Sequence, residues 1–162
     1  DLELFREGKE PVEFMMVYDA LVAADVLQDQ PEINGGIAML GLSNGGRFAI
    51  IATAIEPDIK GVVAISTCGY DTGSIDGSLV GDETAYILYR SIDPDNYLDM
   101  ISPRRFVMFH SVNDSIIPLE LAQNTFSQAQ EPKELYLIEG STHGYNQEIE
   151  NDITGELEKI FG

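Results

Sequence analysis

Short apolar runs recur along this chain between longer segments whose apolar residues return every three or four positions. Four of these runs, at residues 36–42, 62–65, 106–109 and 135–138, are rich in aliphatic and aromatic side chains. Apolar runs of this length are typical of strands that are covered on both faces of a parallel sheet. The pattern therefore predicts about four buried strands.

Helical periodicity fills the segments around these strands. It predicts helices at residues 11–30 and 45–54, on either side of the first strand, and a third helix after Pro118. Pro31 is expected to end the first helix. One face of that helix consists of Phe14, Val17, Tyr18, Leu21 and Ala24. The apolar faces of the third and last helices consist of Leu119, Ala122, Phe126 and Ala129, and of Ile149, Ile153, Leu157 and Ile160.

This alternation predicts an α/β fold, a three-layer sandwich with a mainly parallel sheet and right-handed crossovers. No internal repeat or linker interrupts it, so residues 1–162 are expected to form a single domain. The polar stretch at residues 69–105 is the exception to the alternation. It predicts one helix, near residues 83–91, inside an extended connection of the kind that shapes a substrate site.

Acidic residues outnumber basic residues by 28 to 9, which gives a formal net charge of −19. Such a surface repels phosphate backbones and anionic lipid headgroups, because binding to either depends on clustered lysine and arginine. No apolar run approaches the roughly 20 residues that span a bilayer. We therefore expect a small-molecule substrate and neither a nucleic-acid nor a membrane partner.

Cys68 is the single cysteine, so the chain cannot form an internal disulfide. No basic residue lies near it in the sequence to lower its pKa, and we expect a small buried apolar side chain rather than a reactive thiol. The sequence contains no signal-peptide pattern. These features predict a cytoplasmic protein.

The segment Gly-Leu-Ser-Asn-Gly at residues 41–45 directly follows the first predicted strand and begins a helix. A serine in such a sharp turn has strained backbone angles, and Gly41 and Gly45 are expected to let the neighbouring chain approach without a Cβ clash. Ser43 is therefore a candidate nucleophile at the carboxyl end of the sheet. The alternative is an ordinary cap, because serine is favoured immediately before a helix.

A serine hydroxyl needs a base, and the base needs a group that orients it. His143 lies in the loop at residues 140–144 after the fourth strand, and Asp114 follows the third strand, so both are expected at the sheet edge that carries Ser43. His110 ends the third strand and fits a packed or hydrogen-bonded residue better. Taken singly, Asp114 could cap the next helix and His143 could be a surface residue.

The three motifs, in the chain order nucleophile, acid, histidine, resemble the α/β-hydrolase family. The resemblance covers nearly the whole chain from Val12 onward. It is greatest to the dienelactone hydrolase and prolyl-oligopeptidase-like branches, where a segment similar to residues 97–105 leads into the strand before the acid.

This resemblance implies a role for each motif residue. Ser43 would attack a carbonyl, His143 would take and return the proton, and Asp114 would orient the imidazole. The backbone N–H of Asn44 would be one oxyanion-hole donor. The implied site contains neither a cofactor nor a metal.

Two features depart from the family pattern. Ser111 stands where the family usually has glycine, and a loop can hold serine there if its φ is negative. No strand or His-Gly-Gly-Gly-like loop precedes the first helix to supply a second oxyanion donor, and four strands are predicted where the family has about eight. We therefore expect the chain to be the C-terminal part of a longer domain, with residues 36–42 as an exposed apolar sheet edge. Such an edge predicts self-association, or pairing with an N-terminal segment.

The resulting prediction is a serine hydrolase that acts on a carboxylic ester or thioester through an acyl-enzyme. Two alternatives stay open: a serine peptidase of the prolyl-oligopeptidase type that cleaves amides, and an inactive hydrolase-derived binding protein.

Tyr70, Ile116 and Tyr145 could line a substrate pocket, but such residues are more often packing. The last helix is expected to have a solvated acidic face without a histidine at metal-ligand spacing. That face consists of Glu148, Glu150, Asp152, Glu156 and Glu158.

Overall fold

The computed structural model describes residues 1–139 and 143–162, and strands and helices alternate in this part of the chain. The strands are β1 (Ile37–Leu42), β2 (Ile59–Ile65), β3 (Arg105–Ser111) and β4 (Lys133–Ile138). The helices are α1 (Leu2–Arg6), α2 (Val12–Gln28), α3 (Asn44–Ile55), α4 (Glu83–Ser91), α5 (Leu119–Gln128) and α6 (Glu150–Phe161). Short 3₁₀ helices cover Thr72–Ser74, Gly77–Leu79, Pro94–Met100 and Gln147–Ile149.

The four strands form one parallel sheet in the order β1-β2-β3-β4. In register, Leu42 lies beside Ile65, and Ile65 lies beside Phe109. Because the strands are parallel, their carboxyl ends share one edge of the sheet. The segments that follow β1, β3 and β4, which carry the three candidate site residues, therefore begin at the same edge.

Side chains of the two central strands alternate between the faces of the sheet, as the period of a strand requires. Val62 and Met108 pack on one face with side chains from α3 and α5. Val63 and Phe109 pack on the other face with side chains from α6. The predicted three-layer α/β architecture is confirmed, and α4 forms in the 69–105 connection where the sequence predicts a helix.

Helix α2 packs differently from its prediction. Tyr18 is 62% exposed, whereas Phe14, Val17 and Leu21 are half-buried and Ala24 is buried, so Tyr18 does not belong to the inward face. The helix is apolar around most of its circumference, and periodicity alone therefore did not fix which stripe faces the protein. Its outward side chains include Val12, Met15, Met16, Val22, Val26 and Leu27.

The expectation of a fully solvated acidic face on the last helix is wrong for Glu156, which is completely buried. Tyr136 Oη and Lys159 Nζ donate hydrogen bonds to its carboxylate at 2.7 and 2.6 Å, and Arg105 forms an ion pair with it. Burial raises the pKa of Glu156, but these donors outweigh burial and hold the pKa at about 2. A carboxylate on a buried helix face is tolerated because it is fully paired.

Strand β1 lies at one edge of the sheet and is apolar. Leu40 and Leu42 are 52% and 44% exposed, so the edge presents large apolar side chains to solvent. Leu40 and Leu42 pair in register with Val63 and Ile65, so they lie on the face of the sheet that α6 covers, whereas α2 packs against α3 on the opposite face. No helix in the described ranges is long and apolar enough to cross a membrane.

Candidate active site

Ser43 occupies a strained turn between β1 and α3. Its backbone angles are φ 53° and ψ −121°, a conformation that costs a residue with a side chain about 1–3 kcal/mol. Its N–H donates to the Ile65 carbonyl at 2.8 Å, and its own carbonyl accepts from Gly46 N at 2.9 Å. Its side chain makes no capping hydrogen bond to α3, so the ordinary-cap alternative loses its support.

Gly41 is the glycine that this turn needs, because a Cβ there would lie 2.2 Å from the Gly45 carbonyl oxygen. The parallel expectation for Gly45 is wrong: a Cβ at Gly45 would meet no atom within 4 Å. The second close approach occurs at Gly46, where a Cβ would lie 2.8 Å from Thr67 Cγ2. The spacing of the glycines therefore predicts the turn, but it does not show at which of these positions a Cβ would clash.

His143 and Asp114 are brought together across 29 residues of sequence. His143 Nδ1 lies 2.9 and 3.1 Å from the two carboxylate oxygens of Asp114, whose side chain is fully buried. An Nδ1–H donor held by a carboxylate leaves Nε2 as the basic nitrogen of the ring. The loop predicted at residues 140–144 includes residues 140–142, which lie outside the described residues.

Asp114 is oriented by its own loop rather than by a helix. Its Oδ1 accepts hydrogen bonds from the backbone N–H groups of Ile116 and Ile117 at 2.8 and 2.9 Å. Burial raises the pKa of Asp114, but the bonds from Ile117, Ile116 and His143 outweigh it and lower the pKa. Helix α5 begins only at Leu119, so Asp114 is not its cap. The carboxylate is therefore ionised and free to orient the imidazole.

The histidine loop adjoins the turn that carries Ser43. Gly144, the residue after His143, has φ 106°, and its N–H donates to Ser66 Oγ at 3.0 Å. A Cβ at Gly144 would lie 3.9 Å from a methyl group of Leu42, the residue before Ser43. Gly144 thus lies beside the end of β1 from which the serine turn begins.

The expectation for His110 is confirmed. It is fully buried at the end of β3, and its Nε2–H donates to the Ile117 carbonyl at 3.0 Å. Ser111, the next residue, is not among the described residues with positive φ, and its hydroxyl accepts from Asn113 N at 3.2 Å. A serine therefore fits where the family usually has glycine.

Asn44 is the first residue of α3, where a backbone N–H has no partner within the helix. That position leaves the N–H available to an oxyanion beside Ser43. The Asn44 side chain accepts a hydrogen bond from Arg47 Nη1 at 3.0 Å. The same nitrogen donates to Tyr70 Oη at 2.7 Å, and the guanidinium lies 4.3 Å from the centre of the Tyr70 ring.

Arg47 also corrects the expectation that no basic residue lies near Cys68. Its Nε donates to the Cys68 carbonyl at 2.8 Å, and its Nη2 lies 3.8 Å from the sulfur. Burial raises the pKa of the Cys68 thiol, and the arginine offsets only part of that effect. Cys68 is therefore buried and protonated, as expected, although 21 residues separate it from its cationic neighbour.

The 69–105 connection is organised by two buried carboxylates. Asp93 accepts from the backbone N–H groups of Tyr70, Thr72 and Asp95 at 2.8–3.1 Å, and from Thr72 Oγ1 at 2.6 Å. Burial and the neighbouring Asp93 raise the pKa of Asp95 to about 6. The hydrogen bonds to Asp93 fix the backbone of Tyr70 and of the residues near it.

Tyr70 also lines a cavity of about 320 Å³, here named the tyrosine groove. Its walls include Tyr70, Ile75, Val80, Ala85, Tyr86 and Tyr89. Ile116 and Tyr145 are 67% and 51% exposed, so neither is core packing. Arg47 Nη1 bonds to both Tyr70 Oη and Asn44 Oδ1, so Arg47 connects one wall residue of the groove to the residue that follows Ser43.

Within residues 1–139 and 143–162, no group of three or more histidine, cysteine or acidic side chains is arranged to hold a metal ion. The chemistry available at this edge is that of a hydroxyl, an imidazole, a carboxylate and a helix N-terminus. Such a set can support nucleophilic attack on a carbonyl.

Comparisons with known proteins agree with this architecture. The family model described as "BAAT / Acyl-CoA thioester hydrolase C terminal" matches residues 21–131, a range that includes Ser43 and Asp114. The uncharacterized protein YfhR of Escherichia coli, in strain K12 and in O157:H7, is 26% identical over 136 residues. Those residues are 82% of this chain and 47% of YfhR, so the chain spans about half the length of the curated relatives it matches.

Three solved structures share the fold. The esterase domain of a Rhodothermus marinus protein is 19% identical with a TM-score of 0.69, over 90% of this chain and 70% of its own. Est1E from Butyrivibrio proteoclasticus is 21% identical with a TM-score of 0.70, over 93% and 72%. Acetyl xylan esterase 1 from Thermoanaerobacterium is 15% identical with a TM-score of 0.73, over 90% and 52%. The chain is a hydrolase-family domain with the α/β-hydrolase fold, and it belongs to the BAAT / acyl-CoA thioester hydrolase C-terminal family.

Proposed function

We propose that this protein is a serine hydrolase that cleaves a carboxylic ester or thioester through an acyl-enzyme on Ser43. The observation that carries the proposal is the contact between His143 Nδ1 and both oxygens of the buried, ionised Asp114. The residue after His143, Gly144, lies beside Leu42, which directly precedes Ser43. The family description and the three esterase-type structures support ester or thioester chemistry.

In the proposed reaction, Ser43 Oγ forms a bond to the carbonyl carbon while His143 Nε2 accepts the hydroxyl proton. The Asp114 carboxylate stabilises the imidazolium, and the Asn44 N–H donates to the carbonyl oxygen as it becomes an anion. The tetrahedral intermediate then breaks its bond to the alcohol or thiol, which takes the proton from His143. Water repeats these steps on the acyl-enzyme and releases the carboxylic acid and free Ser43.

We place the acyl group of the substrate in the tyrosine groove. Arg47 connects Tyr70, a wall residue of the groove, to Asn44, the residue after Ser43. An acyl chain with its carbonyl at Ser43 would then extend past Tyr70 toward Tyr89. The walls are mainly apolar, which favours acyl groups that carry an aliphatic or aromatic end. The 69–105 connection would then select the substrate, as its sequence predicts.

The test is steady-state hydrolysis by the natural protein of a p-nitrophenyl ester, an acyl-CoA thioester and the matched p-nitroanilide. We expect turnover of the ester and thioester, and loss of at least about 10³-fold in kcat for Ser43→Ala and His143→Ala. Faster cleavage of the anilide would favour the peptidase alternative. Binding of these compounds without turnover, unchanged by Ser43→Ala, would favour the inactive binding protein.

A further inference from the structure

Ser66 is a buried polar residue that the proposed mechanism does not use. It directly follows β2, at the carboxyl edge of the sheet, and its relative exposure is 0%. Its φ is 48°, in the left-handed region where a residue with a side chain is disfavoured and glycine is not. A serine in a position that suits glycine implies a use for its hydroxyl.

The contacts of Ser66 connect it to the histidine loop. Its Oγ accepts a hydrogen bond from Gly144 N at 3.0 Å, and Gly144 is the residue after His143. Its own backbone N–H donates to the Phe109 carbonyl at 2.8 Å, which fixes it to β3. This hydroxyl therefore holds the backbone of the histidine loop from the rigid end of the sheet.

The residue before Ser66 contacts the other side of the site. The Ile65 carbonyl accepts the hydrogen bond from Ser43 N at 2.8 Å. Consecutive residues at the end of β2 thus bind the backbone of the serine turn and the backbone beside His143. The separation of Ser43 from His143 depends on both bonds, because each fixes one of the two loops to the same strand.

We propose that Ser66 is a positioning residue, whose hydroxyl holds Gly144 and thereby sets His143 at the distance and angle needed to take the proton of Ser43. The inference rests on the proposed serine hydrolase function. Without the hydroxyl, the buried N–H of Gly144 has no acceptor, and the loop shifts to find one. Displacement of a reacting group by about 1 Å can lower a rate about 100-fold.

Two substitutions in the natural protein separate the hydroxyl from the backbone conformation. Ser66→Ala and Ser66→Gly both remove the acceptor, but glycine is at ease at φ 48° whereas alanine keeps the strain. We expect both variants to lower kcat for the p-nitrophenyl ester by about 10–100-fold with little change in KM. The glycine variant should retain the wild-type melting temperature more closely than the alanine variant.

Thr53→Val is the matched control. Thr53 lies near the end of α3, is equally buried, and its hydroxyl has no hydrogen-bond partner among the described residues. Valine has nearly the same shape, so this variant removes a buried hydroxyl without removing an acceptor from Gly144. Its kcat and KM should equal those of the wild type.

Amide hydrogen exchange at Gly144 gives a readout that does not depend on activity. Exchange should accelerate at least about tenfold in both Ser66 variants and stay unchanged in Thr53→Val. Unchanged exchange in the Ser66 variants, or wild-type kcat in Ser66→Gly, would overturn the role of Ser66. If the wild type hydrolyses no ester or thioester, the proposed function fails, and the exchange rates still decide whether Ser66 holds the loop.

Discussion

At the scale of single residues, Ser43 and Asp114 are held in opposite ways. Ser43 lies in a strained turn with a side chain that does not cap the helix after it, whereas Asp114 is stabilised by two backbone donors as well as His143. The strained residue is the proposed nucleophile, and the stabilised one is the proposed orienting acid. The structure thus places backbone strain where it exposes a reactive group and hydrogen bonds where a charge is buried.

Glu156 provides a pH-dependent prediction about stability. Its folded pKa of about 2 lies below the usual value of 4.5, so the stability it contributes is present above pH 5 and is lost as the pH falls toward 2. The shift corresponds to about 3 kcal/mol of unfolding free energy. Glu156→Gln should therefore destabilise the protein at pH 7, and the difference from the wild type should shrink steadily below pH 5.

Urea unfolding of both proteins between pH 7 and pH 3 measures this difference. Glu158→Gln on the exposed side of the same helix is the control, and it should leave the unfolding free energy nearly unchanged at every pH. A constant gap between Glu156→Gln and the wild type across this range would contradict the assigned pKa.

At this scale, the sequence predicts features whose residues lie close together in the chain. Ser43 could be proposed as a nucleophile because its turn, its glycines and its flanking strand lie within a few residues. Asp114 and His143 could be proposed as its partners because each lies a few residues after a strand. Arg47 beside Cys68 and Arg105 beside Glu156 could not be foreseen, since 21 and 51 residues separate the partners. The sequence predicts a solvated acidic face on α6 because the strand residues that pair with Glu156, Arg105 and Tyr136, are distant in the chain.

At the scale of elements, the four strands were predictable from the sequence, but the outward face of α2 was not. The buried strands are continuous apolar runs in the sequence, a pattern that is typical of strands covered on both faces. Helix α2 is apolar nearly all round, so the sequence contained no polar stripe to mark its solvent side. The conformation of the 69–105 connection was equally hidden, because it depends on Asp93 and its several backbone donors.

Helix α4 allows a matched test of the tyrosine groove. Tyr89 and Ile87 lie two residues apart and are 47% and 50% exposed, but only Tyr89 is among the groove-lining side chains given above. Tyr89→Ala should raise KM for esters with a long or aromatic acyl chain about five- to tenfold, because it removes apolar contact area worth about 1–1.5 kcal/mol. KM for an acetyl ester should change little, since an acetyl group does not reach Tyr89.

Ile87→Ala is the control for this measurement and should leave KM for every acyl chain unchanged. A KM profile across acetyl, butanoyl, octanoyl and phenylpropanoyl esters compares the three proteins. Equal effects of the two variants, or an equal effect of Tyr89→Ala on all chain lengths, would place the acyl group elsewhere.

At the scale of the whole molecule, the apolar edge strand β1 is the main exposed feature. Leu40 and Leu42 are 52% and 44% exposed at the edge of the four-stranded sheet, and an exposed apolar edge strand tends to pair with another chain. We propose that the 162-residue chain, when produced by itself, self-associates through this edge despite its charge of −19. Added salt should strengthen the association, because it screens the repulsion between the acidic partners.

Light scattering of the chain at micromolar concentrations tests this proposal. Leu40→Lys adds a charge to the sheet edge and should shift the population toward monomer, as natural edge strands do with lysine. Leu79→Lys is the control, because Leu79 is 82% exposed but lies in the 69–105 connection. A monodisperse monomer in the unmodified chain, with and without salt, would contradict the proposal.

The central claim is that Ser43 is a nucleophile activated by His143 and Asp114. Its most direct measurement is covalent labelling of the natural protein by a fluorophosphonate, with the modified residue located by peptide mass spectrometry. We expect one phosphonylated residue, Ser43, and labelling slowed at least about 100-fold in His143→Ala and Asp114→Asn. Absence of label on Ser43, or labelling at the same rate in all three proteins, would contradict the account.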